Sequence, residues 1–343
     1  MKVLVVNTAV PFIRGGAELL ADELIRQLNA TPGVEAEGLR LPFKWTPTER
    51  LVDEMLIARG LRLYNVDRVI GLKFPAYLIP HDDKVLWLLH QFRQAYDLGD
   101  AGQGLSDHGR EGEIKQAIRR ADDAAFAECR AIWCNSPVTQ ERLSRYNGVA
   151  SQLLYPPLND AELFTGGEPG DYLFAGGRVA RGKRQHLLIE AFGHVKPPLR
   201  LIIAGPPEDA AYAQELSDLV ASKGLTDRVE LRLGFRPRQE IAALVNGARA
   251  CAYLPFDEDS LGYVTMEAFA AGKPVLATTD SGGLLEIVSE ATGAVAEPDA
   301  EALAGAISAL CEPRVARQRG AAAKALWDAR GLTWDATLER LLS

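Results

Sequence analysis

Short apolar runs alternate along this chain with longer stretches in which leucine, alanine and valine recur every three or four positions. The first pattern predicts strands buried on both faces and the second predicts amphipathic helices. Strands are expected at residues 3–6, around 69–70, at 85–89 and at 131–134. A helix is expected at 17–28, with Leu20, Leu24 and Leu28 on one stripe. A second alternating set follows. Its strands are expected at 172–175, 199–204, 229–233, 248–254 and 274–277, and its helices near 185–192, 210–223, 238–246 and 265–271. Helices near 300–311, 315–330 and 333–343 complete the pattern. Strand and helix in strict alternation imply parallel sheets covered on both faces, an α/β architecture.

The alternation breaks once. Pro156-Pro157 continues neither a helix nor a central strand, and Thr165-Gly166-Gly167-Glu168-Pro169-Gly170 is rich in turn residues. The expected domains are therefore 1–160 and 161–331. In doubly wound sheets ligands bind outside the carboxyl ends of the strands, which puts the candidate residues in a cleft between the two halves.

Composition narrows the classes of function. The 343 residues suit two domains, and 47% hydrophobic with 24% charged residues is ordinary for a globular protein. The formal charge of −8 argues against general nucleic-acid binding, and neither half is basic: residues 1–165 hold 19 Lys+Arg against 22 Asp+Glu. Cys129 and Cys134 are spaced for no common zinc site, and Cys134 and Cys251 sit in apolar runs as plain core residues. Met1-Lys2-Val3 leads straight into a strand without a cleavage signal, and no apolar run reaches the ~18 residues a membrane span needs. A cytoplasmic location is the expectation.

Chemistry concentrates in residues 255–283. Asp259 and Glu267 are carboxylates eight residues apart, with Ser260-Leu261-Gly262-Tyr263 as a turn between them and Glu267 expected in the first turn of an apolar helix. Backbone N–H groups at such a helix start favour an anion, while carboxylates beside it suit hydroxyls. Phosphate and hydroxyls in one place suggest a nucleotide-sugar. Gly176-Gly177-Arg178 with Lys183 supplies fixed cations after a buried strand, able to neutralise a leaving phosphate. Arg181 and Arg184 are expected in a solvated basic loop. Ala204-Gly205 and Gly234-Phe235 are strand-end turns placed for a base and a ribose. Gly15-Gly16 forms a turn before the first helix without the third glycine of a dinucleotide fingerprint. His90 follows an apolar strand directly, where it is as well placed to touch ligand as to serve structure. The Asp257-Glu258-Asp259 triplet is weighed as a metal site and disfavoured, because oxygen-ligand sites need more ligands and the basic pair already supplies charge.

Together these motifs resemble the retaining GT-B glycosyltransferases of glycosyltransferase family 4. The most specific part is Asp259…Glu267 continuing through Gly272-Lys273-Pro274-Val275 into Ser281-Gly282-Gly283 and Glu286. The resemblance implies two Rossmann-like domains facing across a cleft, with residues 332–343 crossing back to the first domain. It implies that Arg178 and Lys183 grip the donor diphosphate, that Glu267 binds the donor ribose, and that Asp259 holds the transferred sugar in place of the family's glutamate. Glu258 rivals Asp259 at a spacing one residue off. Backbone N–H groups of Leu261, Gly262 and Tyr263 would meet phosphate and sugar. Gly16 would face the β-phosphate, Gly177, Gly205 and Phe235 would line the donor, and His90 would lie near the reacting sugar. No metal or resident cofactor is implied. The implied partners are a UDP- or GDP-sugar and a glycan, lipid-linked or small-molecule acceptor read by residues 43–50 and 91–110. A lipid acceptor would bring the chain to the inner membrane face, which Trp45 and the Lys115, Arg119, Arg120 helix would allow. An epimerase of the same architecture predicts donor conversion without acceptor. A non-catalytic nucleotide-sugar-binding subunit predicts neither transfer nor hydrolysis.

Overall fold

The computed structural model describes residues 1–100 and 102–343. The chain forms two compact units, Met1–Pro157 with Leu332–Ser343, and Leu158–Gly331. The division falls at the Pro156-Pro157 break, a few residues ahead of the expected boundary.

The first unit is built on a parallel sheet of strands β1 (Lys2–Ala9), β2 (Glu35–Pro42), β3 (Arg68–Lys73), β4 (Lys84–His90), β5 (Ala131–Cys134) and β6 (Gln152–Leu153), in the order β2-β1-β3-β4-β5-β6. β3 and β4 are buried almost throughout because their residues are apolar on both sides, as a central strand covered by helices requires. β2 escapes the hydrophobic pattern. Its sequence, Glu-Ala-Glu-Gly-Leu-Arg-Leu-Pro, is mostly exposed, and it is held at the sheet edge by eight register pairs with β1. Helix Trp334–Leu342 belongs to this unit. Leu338 and Leu341 join its core, and Trp334 packs edge-on against Trp87 at 6.3 Å between ring centres. The Arg68 guanidinium donates to the carbonyls of Leu341 and Ser343 at 3.0 and 3.1 Å, satisfying carbonyls a helix end leaves open.

The second unit repeats the plan. β7 (Tyr172–Gly176), β8 (Arg200–Gly205), β9 (Val229–Leu233), β10 (Ala250–Ala252), β11 (Val275–Thr278) and β12 (Gly293–Ala296) pair in parallel in the order β12-β11-β10-β7-β8-β9. From β7 the chain winds outward to β8 and β9 on one side and to β10, β11 and β12 on the other. β7 and β10 therefore flank the switch point, where doubly wound sheets open a crevice at the carboxyl edge. Two helices obey the periodicity to the residue, Gln185–Phe192 and Arg238–Asn246.

Lys115, Arg119 and Arg120, the helix cations that would allow a membrane contact, do not share one exposed face. Lys115 is buried and pairs with Asp107 at 2.8 Å, and Arg119 donates to the Ala95 carbonyl while lying over the Tyr96 ring at 5.2 Å. Of the three cations only Arg120 is exposed. Trp45 is 48% exposed. Of the segment 91–110 expected to read an acceptor, Ala101 lies outside the described residues, and Asp97–Asp100 and the start of Gly109–Ala127 are helical. Among the described residues no helix is long and apolar enough to cross a membrane.

Candidate functional site

Two glycine turns begin the site in the second unit. Gly177, just past β7, has φ +97, and Gly205, the last residue of β8, has φ +147. A Cβ on Gly205 would lie 1.8 Å from the Gly177 carbonyl oxygen, so the turns meet backbone against backbone and tolerate no side chain. The turn after β7 is then tied down by Val179 N–H donating to Pro206 O at 2.9 Å and Glu208 N–H donating to Val179 O at 2.8 Å. Arg178 is exposed on this fixed turn, and among the described residues it forms no ion pair.

Lys183 and Arg184 follow on one short turn and do different things. Lys183 Nζ donates to the Tyr253 hydroxyl at 2.9 Å and pairs closely with Glu258. Tyr253 in turn donates to Glu258 at 2.7 Å. Burial, and then the adjacent Glu258 charge, push the Tyr253 hydroxyl well above the usual phenol range, so it remains a donor. Arg184 is not the solvated cation expected. With φ +53 it turns back into the protein, donates to the carbonyls of Leu254 and Pro255 at 2.8 Å each, and forms a bidentate pair with Asp280. The planar fork of arginine spans the carboxylate and two carbonyls at once, which makes it a structural latch. Arg181 does lie at the surface, paired with Glu215 and over the Tyr212 ring at 4.8 Å.

The acidic loop lies between this turn and the one after β11. Phe256 N–H donates to Gly182 O at 2.9 Å, and Asp257 N–H donates to Asp280 O at 2.8 Å. Glu258 N–H donates to Ser281 O at 3.0 Å, and Gly283 N–H returns a bond to Glu258 O at 2.7 Å. Gly282 has φ +80, and a Cβ there would come 2.4 Å from the Glu258 carbonyl, so glycine is required for the loop to lie this close. Asp259 is half-buried on the same loop. Among the described residues no group of three or more histidine, cysteine, aspartate or glutamate side chains is arranged to hold a metal.

Gly262 has φ +73 and starts helix Tyr263–Ala270 two residues earlier than the hydrophobic pattern suggests. Its Cβ, if present, would strike the Tyr253 ring at 2.5 Å. The N–H groups of the first helical turn have no intrahelical acceptor, and Leu261-Gly262-Tyr263 is where they emerge. Glu267 is therefore the fifth residue of the helix, past the first turn in which it was expected. Its carboxylate is buried and pairs with Arg238. Burial raises the affinity of Glu267 for a proton, and the Arg238 charge opposes that shift.

The structure thus brings Gly177, Arg178, Lys183, Gly205, Asp259, Leu261, Gly262, Tyr263 and Glu267 to the carboxyl edge of the second sheet around β7 and β10. Phe235 stands on the same edge beyond β9, its ring 82% exposed. Gly16 and His90 belong to the first unit. Gly16 opens helix Gly16–Ala30 after β1, where Glu18 accepts from the Gly15 N–H at 2.8 Å and from Lys73 at 3.3 Å. His90 ends β4, with Nδ1 donating to the Gln91 carbonyl at 2.7 Å. Tyr253 and Arg238 carry no distinguishing sequence signal. They enter the site through non-local contacts alone.

Among the described residues, two doubly wound units of six parallel strands each, the first completed by the chain's last helix, have the GT-B fold. Residues 164–325 match the family model of glycosyl transferases group 1. The chain is 32% identical over 174 residues to a D-inositol 3-phosphate glycosyltransferase of Corynebacterium diphtheriae, a match covering 49% of this chain and 40% of that protein. Its similarity to the Actinosynnema mirum protein of the same name is 28% over 249 residues, covering 65% and 58%. The matched regions thus span 40% and 58% of the length of these two curated relatives. In fold it is similar to HepE from Anabaena, solved in complex with UDP and glucose, with a TM-score of 0.73 at 19% identity over 100% of this chain and 98% of that one. It is also similar to sucrose-phosphate synthase from Thermosynechococcus elongatus, with a TM-score of 0.77 at 18% identity over 99% and 96%.

Proposed function

We propose that this protein transfers a sugar from a UDP- or GDP-sugar to an acceptor hydroxyl with retention of anomeric configuration, without a metal. The observation that carries this is the convergence at one switch point of two cations, a glycine-started helix N-terminus and a buried carboxylate. Arg178 and Lys183 would meet the diphosphate, together with the N–H groups of Leu261, Gly262 and Tyr263. Glu267, recessed behind them, would accept from the donor ribose. Asp259 would accept from the hydroxyls of the transferred sugar. As the bond from anomeric carbon to phosphate oxygen breaks, negative charge grows on the leaving diphosphate, and the fixed cations and N–H dipoles stabilise it more than they stabilise the bound donor. The acceptor oxygen forms its bond on the face the diphosphate leaves, and its proton passes to a diphosphate oxygen. No protein nucleophile is needed in this sequence. His90 and Gly16, from the first unit, are proposed to lie near the reacting sugar and the β-phosphate. The acceptor is proposed to be a glycan, a glycolipid or a small molecule of bacterial surface synthesis, which would allow work at the cytoplasmic face of a membrane.

The test is a thermal-shift and calorimetric screen against UDP, GDP and their sugars, followed by transfer assays on the sugar that binds. Stabilisation by a nucleoside diphosphate and acceptor-dependent consumption of its sugar are expected. Conversion of donor without acceptor would identify an epimerase. Binding without transfer or hydrolysis would identify a non-catalytic subunit.

A further inference from the structure

Arg238 joins three segments of the second unit that are remote in sequence. It is the first residue of helix Arg238–Asn246, directly after Pro237. One terminal nitrogen pairs with Glu267. The other donates to the Asn159 carbonyl at 3.0 Å. Its Nε lies 3.5 Å from the Asp160 carboxylate, and the guanidinium rests over the Phe164 ring at 4.6 Å. Asn159 and Asp160 are at the very start of the unit, and Asp160 holds φ +50. A buried carboxylate is costly to keep ionised without a partner. Arg238 is the ion-pair partner of Glu267 among the described residues.

We propose that Arg238 is a positioning residue of the donor site, holding the Glu267 carboxylate oriented toward the donor ribose and tying that orientation to the entry segment at Asn159 and Asp160. The inference rests on the reading of Glu267 as the ribose acceptor. The guanidinium suits the task because its planar fork reaches the carboxylate and the Asn159 carbonyl in two fixed directions, which a lysine ammonium cannot reproduce.

The experiment measures dissociation constants for UDP, GDP and their 2′,3′-dideoxy counterparts, using whichever base binds. The proteins are the intact chain, Glu267→Gln, Arg238→Gln and Arg238→Lys. Loss of hydrogen bonds to a charged group should make the unmodified protein prefer the ribonucleotide by about 10- to 100-fold. Glu267→Gln and a folded Arg238→Gln should both lose most of that preference, to within about threefold, and Arg238→Lys should recover it only in part. A role confined to stability would lower the melting temperature and leave the preference intact. If Glu267→Gln loses the preference while Arg238→Gln keeps it, the positioning role is overturned and the donor reading stands. If the unmodified protein shows no preference, or binds neither nucleotide, the ribose reading fails and takes this inference with it. Should Arg238→Gln fail to fold, Arg238→Lys decides: full retention of the preference overturns the proposal.

Discussion

Replacing Glu258 with glutamine should tighten the binding of a nucleoside diphosphate. Lys183 is engaged before any donor arrives, with its ammonium against Glu258 and the Tyr253 hydroxyl. An incoming diphosphate must compete with the Glu258 carboxylate for that ammonium. A hydrogen bond between charged groups contributes about 1.5–3 kcal/mol, and the lower end applies because the Lys183 and Glu258 side chains remain 23% and 19% exposed. Glu258→Gln keeps the shape and can still accept from Tyr253, but it removes the competing charge. About 1.4 kcal/mol, or a tenfold lower dissociation constant, is the expected gain. The gain should shrink as salt rises from low ionic strength toward ~1 M, where the screening length falls to ~3 Å. It should also vanish in a Lys183→Ala background, as a double-mutant cycle requires of a direct coupling. Isothermal titration with UDP or GDP at two salt concentrations reads all of this. Unchanged or weaker binding in Glu258→Gln would refute the competition and make Glu258 a support that holds Lys183 in place.

Other outcomes follow from the same geometry. Arg178→Ala or Lys183→Ala should lower kcat/KM by about 3 kcal/mol, two orders of magnitude, with full activity in either excluding its contact with the leaving group. Gly205→Ala places a Cβ 1.8 Å from the Gly177 carbonyl, so denaturant titration should show a loss of at least about 2 kcal/mol. The Glu128 carboxylate is held at about 2, first by its hydrogen bonds from Arg59 and then by Lys84, whose ammonium is buried. A depressed carboxylate stabilises the fold above its ordinary value of 4.5 and loses that contribution as pH falls toward about 2. Glu128→Gln should therefore cost about 2 kcal/mol at neutral pH, and the difference from the parent should close across that acid window in a series of melts. Turnover should persist in excess chelator, and its loss with the fold intact would require a metal in the mechanism.

The sheets were legible where both faces of a strand are buried, since continuous apolar runs such as those of β4 and β8 have few other uses. β2 was not legible, because an edge strand with solvent on its faces needs only backbone pairing, and its Glu-Ala-Glu-Gly start looks like a loop. β12, four small residues Gly-Ala-Val-Ala, is too short for periodicity to speak. Within the site, glycine was informative because backbone approach as close as that of Gly177, Gly205, Gly262 and Gly282 excludes other residues. The partners of charged side chains were not legible. Arg184 read as solvated because sequence neighbours gave its environment no apolar signal, yet its acceptors lie about seventy and about ninety-five positions away. Arg238 went unread for the same reason, its partners being 79 and 29 positions distant.

The return of residues 332–343 to the first unit bears on the order in which the molecule is made. Trp334, Leu338 and Leu341 fill the face of the first sheet that carries Trp87 and Trp133, and Arg68 waits for carbonyls at 341 and 343. A growing chain completes all twelve of the described strands before it supplies those groups. The unit translated first is thus the last to close, and during synthesis the second unit can reach its final packing while the first still exposes a strip of tryptophan and leucine.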